Sequence, residues 1–197
     1  MFNENAYLQV YPDVAAAVKA GSFSSGLQHY TQFGQQENRI GFFFGSSGND
    51  TITGFGQGTK VLAGVAFDAL LNGSTVAGVG EVDTLIGREG RDVFVLGHPT
   101  LSSLTSTPQQ FYVGRGNADY ALIRNFQRFE DLIVLEGSPQ NYNFQVVNGS
   151  LNIFRTSGDL VGIVEGVTSL MPVSNDLFDL KTFNVPLNTS GPFSILL

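Results

Sequence analysis

Two segments of this chain space glycine and aspartate in a way suited to holding a hard cation. Gly45-Ser46-Ser47-Gly48-Asn49-Asp50-Thr51-Ile52-Thr53 has glycine at positions one and four of a nine-residue unit, aspartate at six and an apolar residue at eight. Gly87-Arg88-Glu89-Gly90-Arg91-Asp92-Val93-Phe94-Val95 repeats that arrangement, with Phe94 at position eight. The types have physical roles. Glycine allows a tight turn, the apolar residue points inward as a strand, and the carboxylate faces the turn, where oxygen ligands suit calcium.

The register continues between the two copies in weaker form. Gly54 to Leu62 keeps Gly54 and Val61 but has Thr59 in the aspartate place, and Ala63 to Leu71 restores Asp68 and Leu70. After a six-residue insertion, Asn72 to Ala77, the unit Gly78 to Ile86 restores Asp83 and Leu85. If each unit makes half a coil, aspartates two units apart share one turn ridge. Asp50 and Asp68, 18 residues apart, then stack, and Asp92 joins them if the insertion bulges out as a loop. Asp83 falls on the opposite ridge with Thr59. The expected site is one or two calcium ions between Asp50, Asp68 and Asp92, completed by carbonyls of the glycine turns around Gly48 and Gly90. The other reading is a roll that keeps its shape without metal.

Composition narrows the remaining chemistry. The formal charge of −7, from 10 Lys+Arg against 17 Asp+Glu, opposes binding to nucleic-acid backbones and favours cations. Zero cysteines remove thiolate catalysis, disulfides and cysteine zinc sites. Only His29 and His98 could transfer protons near neutral pH, and neither has a partner motif nearby. Gly114-Arg115-Gly116-Asn117-Ala118-Asp119 copies part of a nucleotide motif but reads as a turn, with Asp119 a minor calcium candidate. Glu130-Asp131 could belong to a glycosidase pair only if their partner carboxylate lay at the right distance in space. The sequence is therefore read as non-catalytic.

The elements that must position these residues fall into distinct textures. Residues 1–41 carry helical spacing at Ala6, Tyr7, Val10, Val14, Ala17 and Val18, with Pro12 starting a second helix and Ser24 or Ser25 capping a third that runs to Gly34. From Gly41 onward short β-prone runs alternate with turns, and no further helix is expected. Asn148-Gly149 between alternating apolar runs predicts a hairpin. The expected class is α+β, mainly β: a helical unit at 1–41, a parallel β-roll at 42–97, an antiparallel sheet closing it at 98–175, and an apolar tail at 176–197. In the tail Phe178, Leu180, Phe183, Val185 and Leu187 alternate as a strand would, ending in Phe193-Ser194-Ile195-Leu196-Leu197. No apolar run is long enough for a membrane span, and Met1-Phe2-Asn3-Glu4-Asn5 lacks the features of a signal peptide, so export is expected by another route.

Gly45 to about Leu170 resembles the hemolysin-type calcium-binding family, the repeats-in-toxin proteins. Gly87 to Gly97 is similar to that family's last repeat. Leu122-Ile123-Arg124-Asn125-Phe126 followed by Glu130-Asp131-Leu132-Ile133-Val134-Leu135 is similar to its closing pattern. The resemblance implies a calcium ligand at Asp131 but not at Asn125, which stands where the family has aspartate. It also implies type I secretion with an uncleaved signal near the C-terminus. Tyr7 to Val18, with Gly26 to Tyr30 and Phe33-Gly34-Gln35, is similar to a helical repeat of cyanobacterial secreted proteins. The implied function is a secreted, calcium-binding surface or extracellular-matrix protein without catalysis, located outside the cell or at its surface. The alternative is a self-assembling structural subunit of a filament or layer, in which the tail adds to the sheet of another copy.

Overall fold

The computed structural model describes residues 1–72, 74–101, 107–174, 189–190 and 193–197. The chain is α+β and mainly β, with its longer helices confined to the N-terminal part.

Local signals set the helical unit. Asn3 caps α1 (Glu4–Val10), its Oδ1 accepting the Ala6 N–H. Pro12 opens α2 (Pro12–Lys19), where a missing N–H costs nothing. The Ser25 hydroxyl accepts the Gln28 N–H at the start of α3 (Gly26–His29), which runs on into a π-helical turn, Tyr30–Gly34. The Glu4 carboxylate accepts the N–H groups of Gly26 and Leu27 and so ties α1 to the start of α3. His29 of that helix is buried, with Nδ1 3.0 Å from the Tyr7 hydroxyl.

Beyond Gly41 the chain winds between two sheets. It begins with β1 (Gly41–Gly45) in the first sheet, β2 (Thr51–Thr53) in the second and β3 (Lys60–Ala66) in the first. A short helix, α4 (Phe67–Leu71), and β4 (Val76–Ala77) intervene before β5 (Val82–Ile86) in the second sheet and β6 (Asp92–Val95) in the first. An excursion through β7 (Gly97–His98), β8 (Thr100–Leu101) and β9 (Gln109–Phe111) returns to β10 (Tyr120–Arg124) and β11 (Leu132–Glu136). The hairpin β12 (Tyr142–Val147) and β13 (Ser150–Arg155) precedes β14 (Leu160–Val164). The strands β1, β3, β6 and β11 pair in parallel in one sheet, and β2, β5, β10 and β14 in the other. The result is a parallel roll of four coils. Ile52, Leu85 and Phe94, at position eight of their units, are buried in its core with Ile123 and Ile133.

The roll therefore does not end at residue 97. Its coils continue through β10, β11 and β14, where the turns lack the one-and-four glycine spacing of the complete units, the turn entering β10 carrying Gly114 and Gly116 instead. Antiparallel strands flank the parallel ones: β12 and β13 extend one sheet through the expected hairpin, with Asn148 and Gly149 both at positive φ.

The helix α4 is a second departure, since no helix was expected after Gly41. The unit Ala63 to Leu71 has alanine at the two places where the complete units, Gly45 to Thr53 and Gly87 to Val95, have turn glycines, and Gly48 and Gly90 of those units hold φ of 103° and 76°. Alanine does not adopt that conformation cheaply, whereas Phe-Asp-Ala-Leu-Leu forms a helical turn and buries Phe67 and Leu70 on one side. The half-coil turn is postponed to residues 78–82.

Both ends of the roll are covered. The edge of β1 pairs with the N-terminus: Met1 and Phe44 bond in both directions, and Phe2 bridges Phe43. Phe2, Tyr7, Tyr30, Phe43 and Phe55 join the helices to the first coil as an aromatic cluster. At the other end β15 (Pro172–Ser174) and β17 (Phe193–Leu196) extend the first sheet, β17 lying antiparallel between β11 and β15, while β16 (Thr189–Ser190) pairs with β8. The tail alternation from Phe178 to Leu187 lies outside the described residues. Among the described residues no helix is long and apolar enough to cross a membrane.

Candidate cation-binding ridges

A roll of this kind has two rows of turns, and each row stacks one turn of every coil. Ridge one holds the turns entering β2, β5, β10 and β14. It brings together Asp50, Asp83, Asp119 and Asp159. Ridge two holds the turns entering β3, β6 and β11, where Lys60 is the register partner of Asp92 and Asp131 stands next along the sheet, with Thr59 one residue before Lys60.

The expected grouping of Asp50, Asp68 and Asp92 is not formed. Asp68 is exposed in the first turn of α4, Asp50 stands on ridge one and Asp92 on ridge two. The cause is parity. Because residues 63–71 do not make a turn of the roll, every later unit moves to the opposite ridge from the one the nine-residue count assigns. Asp83 thereby joins Asp50, and Asp92 joins Thr59. Gly48 lies in the first turn of ridge one, and Gly90 and Asp131 lie on ridge two.

On ridge one the carboxylate of each coil receives N–H groups from the turn before it. Asp83 Oδ1 accepts the Asp50 N–H at 2.8 Å, Asp119 Oδ2 the Gly80 N–H at 3.0 Å, and Asp159 Oδ1 the N–H groups of Gly114 and Gly116 at 2.9 and 3.1 Å. Within its own turn Asp50 Oδ2 accepts the Ser46 N–H at 2.7 Å. Asp83 Oδ2 accepts the buried Tyr112 hydroxyl at 2.7 Å. That pair lies against β3 where Gly64 leaves room, since a Cβ there would stand 2.1 Å from Asp83 Oδ2. Side chains repeat the link between coils, with Glu81 accepting the Gly48 N–H and Asn49 accepting the Val82 N–H.

These carboxylates thus satisfy turn N–H groups that have no ladder partner. Burial raises the pKa of Asp83 despite its hydrogen bonds, and raises that of Glu81. The Gly114 N–H, with the other donors around it, lowers that of the partly buried Asp159. One acceptor on the ridge is unclaimed: Asp119 is fully buried and its Oδ1 has no hydrogen-bond partner.

Ridge two follows the same rule in its last two turns. Asp131 Oδ1 accepts the Asp92 N–H and its Oδ2 the Gln127 N–H, both at 2.8 Å, while Asp92 Oδ2 accepts the Arg88 N–H at 2.7 Å. The first turn departs from it. There Lys60, not Thr59, stands beside Asp92, and it sends its ammonium into the ridge. Lys60 Nζ donates to the carbonyls of Gly56, Gly58 and Glu89 at 3.1, 2.9 and 2.6 Å and lies 3.7 Å from Asp92 Oδ1. Both side chains are fully buried. Burial pushes the Asp92 carboxyl up to about 7 against the pull of Lys60, raises Asp131, and lowers Lys60 against the pull of Asp92.

Calcium takes several oxygen ligands, carbonyls included. At the first turn of ridge two the oxygens that could serve already face an ammonium, so the residues present do not fit the metal there. At Asp131 both oxygens hold backbone N–H groups. Ridge one fits better, because Asp119 offers a buried, unbonded carboxylate oxygen at a turn. Among the described residues no three His, Cys, Asp or Glu side chains converge as a metal-holding group, so carbonyls would have to supply the other ligands.

Neither Asp159 nor Lys60 is among the site residues expected from the sequence. The signal for Lys60 was its place beside Thr59, the one unit that lacks its aspartate. No protein-family model matches this chain, and no curated protein is significantly similar to it.

Proposed function

We propose that this chain is a secreted, non-catalytic module of a cell surface or extracellular matrix whose roll binds calcium on ridge one. The resemblance of its units to hemolysin-type repeats motivates the reading, and the buried, unpartnered Oδ1 of Asp119 carries it. A carboxylate oxygen removed from water without a partner costs about 1–3 kcal/mol or more, which a bound cation would recover. Asp119, with turn carbonyls of its own and the neighbouring coil, would hold the ion. Calcium near millimolar outside the cell would load a site of about 10⁻⁴ to 10⁻³ M affinity there and leave it empty in the cytoplasm. The chain would then gain stability on export by binding linkage, modestly at such affinities.

The non-catalytic part of the reading is supported by where the two histidines sit. His29 is held by Tyr7 inside the helical unit, and His98 Nδ1 lies 2.7 Å from the Pro99 carbonyl with its pKa lowered by burial.

Thermal melts of the full chain with and without about 5 mM calcium test the proposal, at a concentration well above the expected affinity. The parent should melt several degrees higher with calcium, and Asp119→Asn should abolish most of that shift. An unchanged parent melt would remove the calcium reading. An equal shift in the variant would move the site away from Asp119. For the self-assembly alternative, Phe193–Leu196 is paired on both sides within its own chain, so addition of that segment to another copy would require it to leave this sheet.

A further inference from the structure

We propose that the Lys60 ammonium is a tethered cation filling an oxygen cage between two coils of ridge two, and that removing it opens a site for a free cation. The cage draws on both coils: Gly56 and Gly58 belong to one turn, Glu89 and Asp92 to the next. Three ammonium protons meet three carbonyls, and the positive charge faces a carboxylate oxygen that has no hydrogen bond of its own. The arrangement is the one a hard cation requires, carbonyl oxygens plus a negative charge, but its centre is covalently attached to the chain.

The glycines around the cage are placed to admit that side chain. A Cβ at Gly54 would stand 2.8 Å from Lys60 Cδ, so the stem lies in the room that Gly54 leaves. A Cβ at Gly90 would stand 2.0 Å from the Gln57 carbonyl oxygen, so only glycine lets the second turn approach the first closely enough to share the ammonium. Lys60 is the register partner of Asp92, so it stands where the two following coils of ridge two carry Asp92 and Asp131. In the first coil an ammonium takes the place of the carboxylate. Ridge two is in this way closed by the chain itself, whatever calcium does at Asp119.

Calcium titration calorimetry on the purified full chain decides the matter by stoichiometry. Lys60→Ala should bind one calcium more than the parent, with a dissociation constant of about 10⁻⁴ to 10⁻³ M. Lys60→Ala combined with Asp92→Asn should lose that gain. Lys60→Met, which keeps the stem in the cage, should show no gain and melt about 10 °C lower, the expected effect of leaving a buried carboxylate without its partner. Should Lys60→Ala fold only when calcium is added, the gain is read in that dependence and supports the proposal equally. A folded Lys60→Ala with the parent's stoichiometry up to about 10 mM calcium would overturn it, as would failure to fold at any calcium concentration. On the parent, nitrogen-15 spectra should show one lysine ammonium protected from solvent exchange at neutral pH, and its absence would also overturn the proposal. The parent's own stoichiometry reports separately on Asp119, so the two readings can fail independently.

Discussion

The aspartates of this roll serve first as acceptors for backbone. Asp83, Asp131 and Asp159 each hold N–H groups of a neighbouring turn or of their own, which the ladder leaves free. Asp68 shares none of this. Asp68→Ala should leave the melting temperature and any calcium response at parent values, within about 0.5 kcal/mol, as for an exposed position with no special contact. Phe129 presents the opposite situation. It is 82% exposed and holds φ of 69°, two residues before Asp131, where Gly48 and Gly90 stand relative to Asp50 and Asp92. Phe129→Gly relieves the left-handed conformation at little packing cost, and chemical denaturation should show a gain of up to about 1 kcal/mol after the entropy of the added glycine is paid.

Elements at the two ends cover the outer edges of β1 and β11 in the first sheet. The N-terminal residues cover β1, and β17 inserts between β11 and β15, with Ile195 and Leu196 fully buried. Deleting residues 193–197 therefore removes a central strand of the extended sheet rather than a free arm. The expected outcome is a lower melting temperature, by roughly 10 °C or more, with increased aggregation on a sizing column as β11 is bared. A variant that stayed monomeric with an unchanged melt would show that this strand contributes nothing to the fold.

Across the whole molecule, ridge two makes stability depend on pH. The folded chain holds a proton on Asp92 and Asp131 more tightly than the unfolded chain does, because both carboxyls are buried. Their contribution is full below the unfolded value of about 4 and is lost as pH rises through the folded value, about 7 for Asp92. Asp13 and Asp159, whose values are lowered, act the other way, and their contribution is lost only as pH falls below about 4. The lowered Lys60 value acts on the alkaline side, where stability recovers as pH climbs toward 10.5. Without divalent ions the protein should melt higher at pH 5 than at pH 8, and a scan that rose steadily across that interval would contradict the burial of these carboxyls.

Period and composition were enough to establish the class of fold, the three-part helical start with its caps at Pro12 and Ser25, the inward placement of Ile52, Leu85 and Phe94, and the Asn148-Gly149 hairpin. These follow from local sterics, from turn chemistry or from a repeat that keeps its step. The membership of each ridge was settled only in the tertiary structure, because a count of nine assumes that every unit turns, and one alanine-containing unit forms a helix instead. That single local choice separates Asp50 from Asp92 and pairs Asp50 with Asp83. The continuation of the roll past residue 97 was equally hidden, since the later turns keep neither the glycine spacing nor the nine-residue step of the complete units. Lys60 shows the same limit at one residue: its charge is plain in the sequence, but the carbonyls that surround it come from turns about thirty residues apart, and only packing brings them together.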